Sequence, residues 1–326
     1  MPLLFLSDSD VAASLSVDDL LESQRSAYQA VVDGSGRFLS SAHASDPDTG
    51  ALTYTRSGML ADTTGLTVKA GMVQPLNTAR GLPAVSAMIL LFDPETGRPV
   101  ACLDGAALTL LRTSAGLAVA ADELALDDAE RLGVLGSGPQ AEHTIRMMTA
   151  VRPIRRTTVW SPTPAHRERL VERLRGELEG DIVVGDSARA VVEGHDIVAA
   201  CTATREPLVY GEWLVPGQTV LTMGSVEPDR REVDLTTTLR STSFVDTLAQ
   251  TVESCGPVVE ALQSGDRTAS DFTEIGAVLS GAHQGRTTPE EIVVFHSVGL
   301  GHQDAAAAWA AYRNATEAGL GVTIPI

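Results

Sequence analysis

Lysine is almost missing from this sequence. Of 24 basic residues in 326, 23 are arginine and only Lys69 is lysine. A chain that takes arginine for its ordinary cations keeps a lysine where a compact ammonium of adjustable pKa is needed, since a guanidinium stays charged. Cysteine is nearly as scarce. Cys102, Cys201 and Cys255 are odd in number and far apart, with no CxxC pair, so neither a disulfide framework nor a zinc knuckle is indicated. Positive charge is outweighed, 24 basic against 42 acidic residues, and the net charge of −18 opposes binding to nucleic acid. No run reaches the ~18 apolar residues of a membrane helix. Residues 1–6 lack a basic lead-in and their apolar run breaks at Ser7-Asp8, so they read as an opening strand and not a signal peptide. A cytoplasmic protein is expected.

What is present fits a two-domain enzyme. Apolar residues make up 44%, enough for a substantial core. The first part reads as α+β: a helix over 17–32, extended segments at 52–55, 66–70 and 84–92, a turn at 92–97, a strand at 99–103 and an Ala/Leu helix over 106–124. From Arg131 strands and helices alternate, the pattern of a parallel sheet covered by helices. Strands are expected at 132–135, 157–160, 182–184, 197–201, 219–223 and 243–246, with helices at 139–151 and 164–178. A last helix, 304–318, is expected to return to the first domain. The fold class is therefore α/β. A dinucleotide-binding domain of Rossmann type covers 119–300, and an α+β substrate and dimerisation domain is built from 1–118 and 301–326.

Gly136-Ser137-Gly138-Pro139-Gln140-Ala141 stands between a strand and a helix, the context that gives a GxGxxA sequence meaning. The first glycine permits a tight turn, Gly138 lets a pyrophosphate approach the backbone, and Ala141 allows close helix packing. The helix N-terminus offers unpaired N–H groups and partial positive charge to the phosphates. A NAD site usually ends its second strand with Asp or Glu. Here Ser161-Pro162-Thr163 follows that strand, with His166 and Arg167 beyond. Ser161, Thr163 and Arg167 are candidates for a 2′-phosphate, which favours NADP(H) and leaves NAD(H) as the alternative.

Several segments together resemble the ornithine cyclodeaminase/mu-crystallin family: Val68-Lys69, Gly81-Leu82-Pro83, the 91–97 turn, Leu103-Asp104-Gly105, the 108–113 LTxxRT block and the GxGxQA turn. Farther on, Gly224-Ser225, Glu232-Val233-Asp234, Thr273-Glu274-Ile275-Gly276 and Ser297-Val298-Gly299 extend the likeness over nearly the whole chain. The resemblance implies chemistry at the Cα of a small amino or imino acid, with Lys69 and Arg112 meeting its carboxylate. Arg112 clamps the carboxylate, and Lys69 donates a proton to the developing amine if its pocket lowers its pKa. The alternative for Arg112 is an ion pair within its own chain, with Asp104 a candidate partner.

His43, Ser225 and Glu227 are further substrate-side candidates. Thr113, Thr202, Met223 and Ser297 join Gly136, Ser137, Gly138, Pro139 and Gln140 on the cofactor side. Thr113 either reaches a phosphate or bonds back to a helix carbonyl, and Gln74 and Asn77 are ligands or turn stabilisers. In the family, cyclodeaminases and related alanine dehydrogenases carry an acidic residue two places after the glycine matching Gly224, and here that place is Val226, with Glu227 adjacent. The leading reading is NAD(P)H-dependent reduction of a small imino acid (a ketimine or cyclic imine), or the reverse amino-acid dehydrogenation, by a homodimer without a metal. The alternatives are an ornithine- or lysine-type cyclodeaminase that retains NAD, and a non-enzymatic cofactor- and ligand-binding protein.

Overall fold

A computed structural model describes residues 2–46, 48–61 and 63–326; Met1, first residue of the expected opening strand, lies outside them. The chain forms two compact units, one of residues 1–112 and 300–326, the other of residues 113–299.

The first unit opens with β1 (Leu3–Leu6), α1 (Asp8–Ser14) and α2 (Val17–Val32). Ser7 and Ser16 cap the two helices, and Asp10 and Asp19 complete reciprocal capping boxes. Then come β2 (Gly36–Ser45), β3 (Leu52–Leu60), β4 (Thr67–Val73), β5 (Val85–Phe92) and β6 (Pro99–Asp104). Helix α3 (Gly105–Leu124) carries the chain into the second unit.

That unit runs β7 (Arg131–Leu135), α4 (Pro139–Val151), β8 (Arg156–Trp160), α5 (Pro164–Leu174), β9 (Asp181–Val184), α6 (Ala188–Glu193), β10 (Ile197–Ala200) and β11 (Thr219–Thr222). It continues with α7 (Leu235–Leu239), β12 (Thr242–Val245), α8 (Leu248–Ser254), α9 (Gly256–Ser264), β13 (Phe272–Glu274), α10 (Ile275–Leu279) and β14 (Val293–His296). Helix α11 (Gly301–Ala318) and β15 (Val322–Ile324) finish the first unit.

In the first unit the strand order is β15-β1-β6-β5-β4-β3-β2. Alternation along β5 decides which face is covered: Ala87, Ile89 and Leu91 are buried while Met88 and Leu90 are exposed. Helix α11 packs on β3 and β4 and against α2. Its start lies against the β3 backbone. A Cβ on Gly58 would stand 2.7 Å from the Gly301 carbonyl carbon, and one on Gly301 would stand 2.5 Å from Ser57 O. Only glycines permit that approach, which brings the first turn of α11 down to the sheet.

The second unit's sheet has the order β13-β12-β14-β11-β10-β7-β8-β9, and its pairings are all parallel. From β7 the chain steps outward to β8 and β9, then returns to β10 on the other side of β7. Such a reversal marks where open α/β sheets bind ligands, at the carboxyl ends of the strands.

Several short elements, among them α1, α6 to α10, β13 and β15, were not expected, and three further differences have a clear physical reason. Strand β2 pairs only with β3 at the sheet edge and contains no β-branched residue, so propensity gave no signal. Strand β14 is only four residues, Val293 to Phe295 followed by His296, and buried throughout, where periodicity is silent. Helix α5 ends at Leu174, not 178, because Gly176 turns left-handed at φ 84°. Among the described residues no helix is long and apolar enough to cross a membrane.

Candidate active site

In the first unit, three buried charges meet. Lys69 comes from β4, Arg112 from α3 and Asp304 from the first turn of α11. Asp304 Oδ2 lies 2.8 Å from Lys69 Nζ, and its Oδ1 accepts from Arg112 Nε at 2.8 Å. All three are at most 4% exposed. Lys69 also donates to Thr109 Oγ1 at 3.1 Å and stands 5.9 Å from the centre of the Tyr54 ring. Gln303 braces the group: its Oε1 accepts from Leu300 N and from Arg112 Nη1, and its Nε2 donates to Tyr28 OH at 3.0 Å.

Burial pushes the Lys69 ammonium down from 10.5 to about 7. Asp304 opposes that shift, while Arg112 and Arg56, the Cα partner of Lys69 on β3, add to it. Burial would raise the Asp304 carboxyl, but Arg112, Lys69 and Arg56 outweigh it and hold it at about 2. Near neutrality, then, Asp304 stays ionised and Arg112 cationic, and the lysine is the group that gains and loses a proton.

Asp104 is not the partner of Arg112. Its Oδ1 accepts from Ala107 N at the start of α3. Asp304, Gln303, Thr109 and Tyr54 were not singled out from the sequence. The available signal was polar Gln303-Asp304 heading a run of four alanines, a polar pair at the start of an otherwise apolar stretch. His43, opposite Tyr54 in the β2–β3 register, is exposed.

In the second unit, β7 leads into the glycine turn. Gly136 has φ 126°, and a Cβ there would stand 2.5 Å from Cys201 O. Gly138 forms the N-cap of α4 with no side-chain cap, Pro139 fills the first turn, and nothing lies within 4 Å of where a Gly138 Cβ would stand. With open space beside Gly138 and no side-chain cap, the first-turn N–H groups of α4 are the groups that could hold a pyrophosphate. Ser137 Oγ lies 2.8 Å from Ser161 Oγ, and Arg167 Nη1 donates to Ser161 O at 2.7 Å. Thr163 is exposed at the uncapped start of α5. Residues 161–167 contain no carboxylate.

The remaining candidates fall into place unevenly. Gln140 Nε2 donates to Ser114 Oγ at 2.7 Å, and Thr113 is half-buried on α3. Thr202 follows β10 and Met223 follows β11, both half-buried at the carboxyl edge of the sheet. Ser297 donates to buried Asp246 at 3.2 Å. Ser225 is fully buried, and its Oγ accepts from Glu232 N at 3.0 Å. Glu227 pairs with Arg230 at 2.6 Å. Gln74 and Asn77 serve the turn that follows β4, bonding Leu76 N and Pro83 O. Glu274 Oε1 accepts from Leu248 N at the start of α8.

The chain as a whole is similar to known proteins. Residues 4–319 match the model of the ornithine cyclodeaminase/mu-crystallin family. The Delta(1)-pyrroline-2-carboxylate reductase of Paracoccus denitrificans is 32% identical over 306 residues, 92% of this chain and 93% of that protein. The solved structure of the Thermococcus litoralis Delta(1)-pyrroline-2-carboxylate reductase, in complex with NADH and L-proline, superposes with a TM-score of 0.95 at 31% identity, covering 98% of this chain and 99% of that one. An archaeal alanine dehydrogenase dimer with bound NAD gives 0.93 at 26% identity over the whole of both chains. The chain belongs to the ornithine cyclodeaminase/mu-crystallin family.

Proposed function

We propose that this protein is an NAD(P)-dependent oxidoreductase acting on C–N bonds, which reduces a small imino acid, a ketimine or cyclic imine, to the amino acid or runs the reverse oxidation. The observation that carries this reading is the Lys69–Asp304–Arg112 cluster, a titrating ammonium and a fixed guanidinium held by one carboxylate. Arg112, steadied at Nε, offers Nη donors to the substrate carboxylate. Lys69 Nζ gives its proton to the imine nitrogen during reduction and takes it back during oxidation. Asp304 keeps the lysine charged enough to donate and turns both cations toward one point. A bound nicotinamide supplies the hydride. Relatives that reduce pyrroline-2-carboxylate or oxidise alanine work on this type of bond.

Two finer points follow from particular residues. Ser161, Thr163 and Arg167, with no carboxylate among them, favour NADP(H) over NAD(H). The face of the first sheet away from α11 carries Val322, Leu90, Met88 and Met72, each at least 37% exposed. Such an apolar sheet face favours a homodimer closed through the first unit. The free thiols of Cys102, Cys201 and Cys255 suit a reducing cytoplasm.

Ornithine cyclisation is less well supported. Val226 holds the position of the acidic residue, and Glu227 is tied to Arg230. The test mixes the protein with NADPH or NADH and pyrroline-2-carboxylate and follows the reduced nicotinamide band. Net loss of the band, faster with NADPH, supports the reading. Ammonia release from ornithine without net consumption would overturn it in favour of a cyclodeaminase. Tight dinucleotide binding without turnover of any imine would leave a binding protein.

A further inference from the structure

Two loops at the carboxyl edge of the parallel sheet, after β10 and after β11, are joined by one side chain. Glu232 is fully buried. Its Oε1 accepts from the Thr202 N–H at 2.8 Å and the Thr202 hydroxyl at 2.9 Å. Its Oε2 accepts from Met223 N at 2.9 Å and Gly224 N at 2.6 Å. Among the described residues no cation pairs with it; its four hydrogen bonds oppose its burial only in part, and burial pushes the carboxyl up to about 7. A buried carboxylate without a counter-ion is costly, and a fold that needed only to fill this volume would do so with an apolar side chain.

The loops it joins are pressed together. A Cβ on Gly224 would stand 1.6 Å from Thr202 O and 3.1 Å from the Glu232 carboxyl carbon. The residue before Thr202 in turn backs the glycine turn, since Cys201 O would lie 2.5 Å from a Cβ on Gly136. A continuous set of contacts thus runs from the Glu232 carboxylate through Thr202 and Cys201 to Gly136. Ser225 Oγ, accepting from Glu232 N, ties the carboxylate's own backbone to the same loop.

We infer that Glu232 is a positioning residue for dinucleotide binding: its two oxygens lock the ends of β10 and β11, and so hold Thr202, Met223 and the Gly136–Gly138 turn in the shape the cofactor takes up. This rests on the dinucleotide reading above, and the two are separable. The readout is the dissociation constant of NADPH and of NADH, titrated by their fluorescence without any imine, so that turnover plays no part.

Glu232→Gln keeps the shape but turns an amide NH2 toward the donors of one loop. About tenfold weaker binding of both dinucleotides is expected, the effect of roughly 1.4 kcal/mol. Glu232→Ala, which frees both loops, should weaken binding further. With saturating cofactor, the KM for pyrroline-2-carboxylate should stay within about twofold in Glu232→Gln, because the carboxylate does not act on the imine. Should the alanine variant not fold, the glutamine variant decides. A folded Glu232→Gln protein with a lowered melting temperature but unchanged dissociation constants would show a purely structural role and overturn the inference. If the unmodified protein binds neither dinucleotide, the dinucleotide reading itself is wrong.

Discussion

The two units of this protein make their functional groups in opposite ways. In the second, the cradle is backbone: Gly136, Gly138 and the start of α4 lie within six residues, and their geometry is set by one strand, one turn and one helix. In the first, the working groups are side chains brought from β4, α3 and α11, with Arg112 and Asp304 192 residues apart in sequence. A backbone cradle tolerates many changes of side chain and is disturbed mainly through the loops that back it. A buried ion cluster is disturbed by any change of charge, since removing one partner leaves another uncompensated in a medium of low dielectric constant. Substitutions in the first unit should therefore act on stability and turnover, and substitutions in the second on cofactor binding.

The largest effect is expected at Asp304. Asp304→Asn leaves Lys69 and Arg112 facing a neutral amide, and should cost about 3–5 kcal/mol of stability, the range for breaking a buried pair. Denaturant unfolding measures it. A cost below about 1 kcal/mol would remove the contrast between the two units. Lys69→Arg should follow, losing on the order of 10²-fold or more in kcat because arginine does not release its proton near neutrality. Its NADPH dissociation constant should be unchanged. A Lys69→Arg enzyme within a few-fold of the original in turnover would reduce the lone lysine to a charge.

In the second unit the expected effects are smaller. Ser161→Asp should weaken NADPH binding about tenfold, the result of roughly 1.4 kcal/mol of repulsion, and leave NADH binding nearly as it was. Equal affinity of the unmodified protein for both cofactors would end the NADP(H) preference. The smallest effect on chemistry is expected for Leu90→Glu, on the exposed sheet face. Sedimentation should give a monomer in place of a dimer, with the cofactor dissociation constant unchanged. A dimer that survives this charge would place the partner surface elsewhere.

The same contrast explains what the sequence disclosed. Strand β7, the glycine turn and α4 are legible because periodicity, two glycines and a proline at the helix start all act within a few residues. Lys69 stood out by composition and by the Val68-Lys69 segment, and Arg112 by its place in the LTxxRT block. Their carboxylate did not. Asp104, close in sequence, caps α3, and the true partner enters only because Gly58 and Gly301 let α11 approach β3. Glu232 lay within a recognised segment without a role, since a hydrogen-bonding acceptor for two distant loops has no local pattern. Ser225 looked available in the sequence, but in the fold its hydroxyl is buried and engaged by Glu232 N.

The role of Lys69 as proton donor in imine reduction is best tested by the pH dependence of the unmodified enzyme. Burial sets the ammonium at about 7, so its protonated fraction falls as pH rises through that value. With saturating cofactor and pyrroline-2-carboxylate, kcat for reduction should fall about tenfold per pH unit above the transition, and kcat for amino-acid oxidation should rise through the same transition to a plateau. A reduction rate that stays flat from about pH 6 to about pH 9, with chemistry rate-limiting, would contradict the assignment of the proton to Lys69.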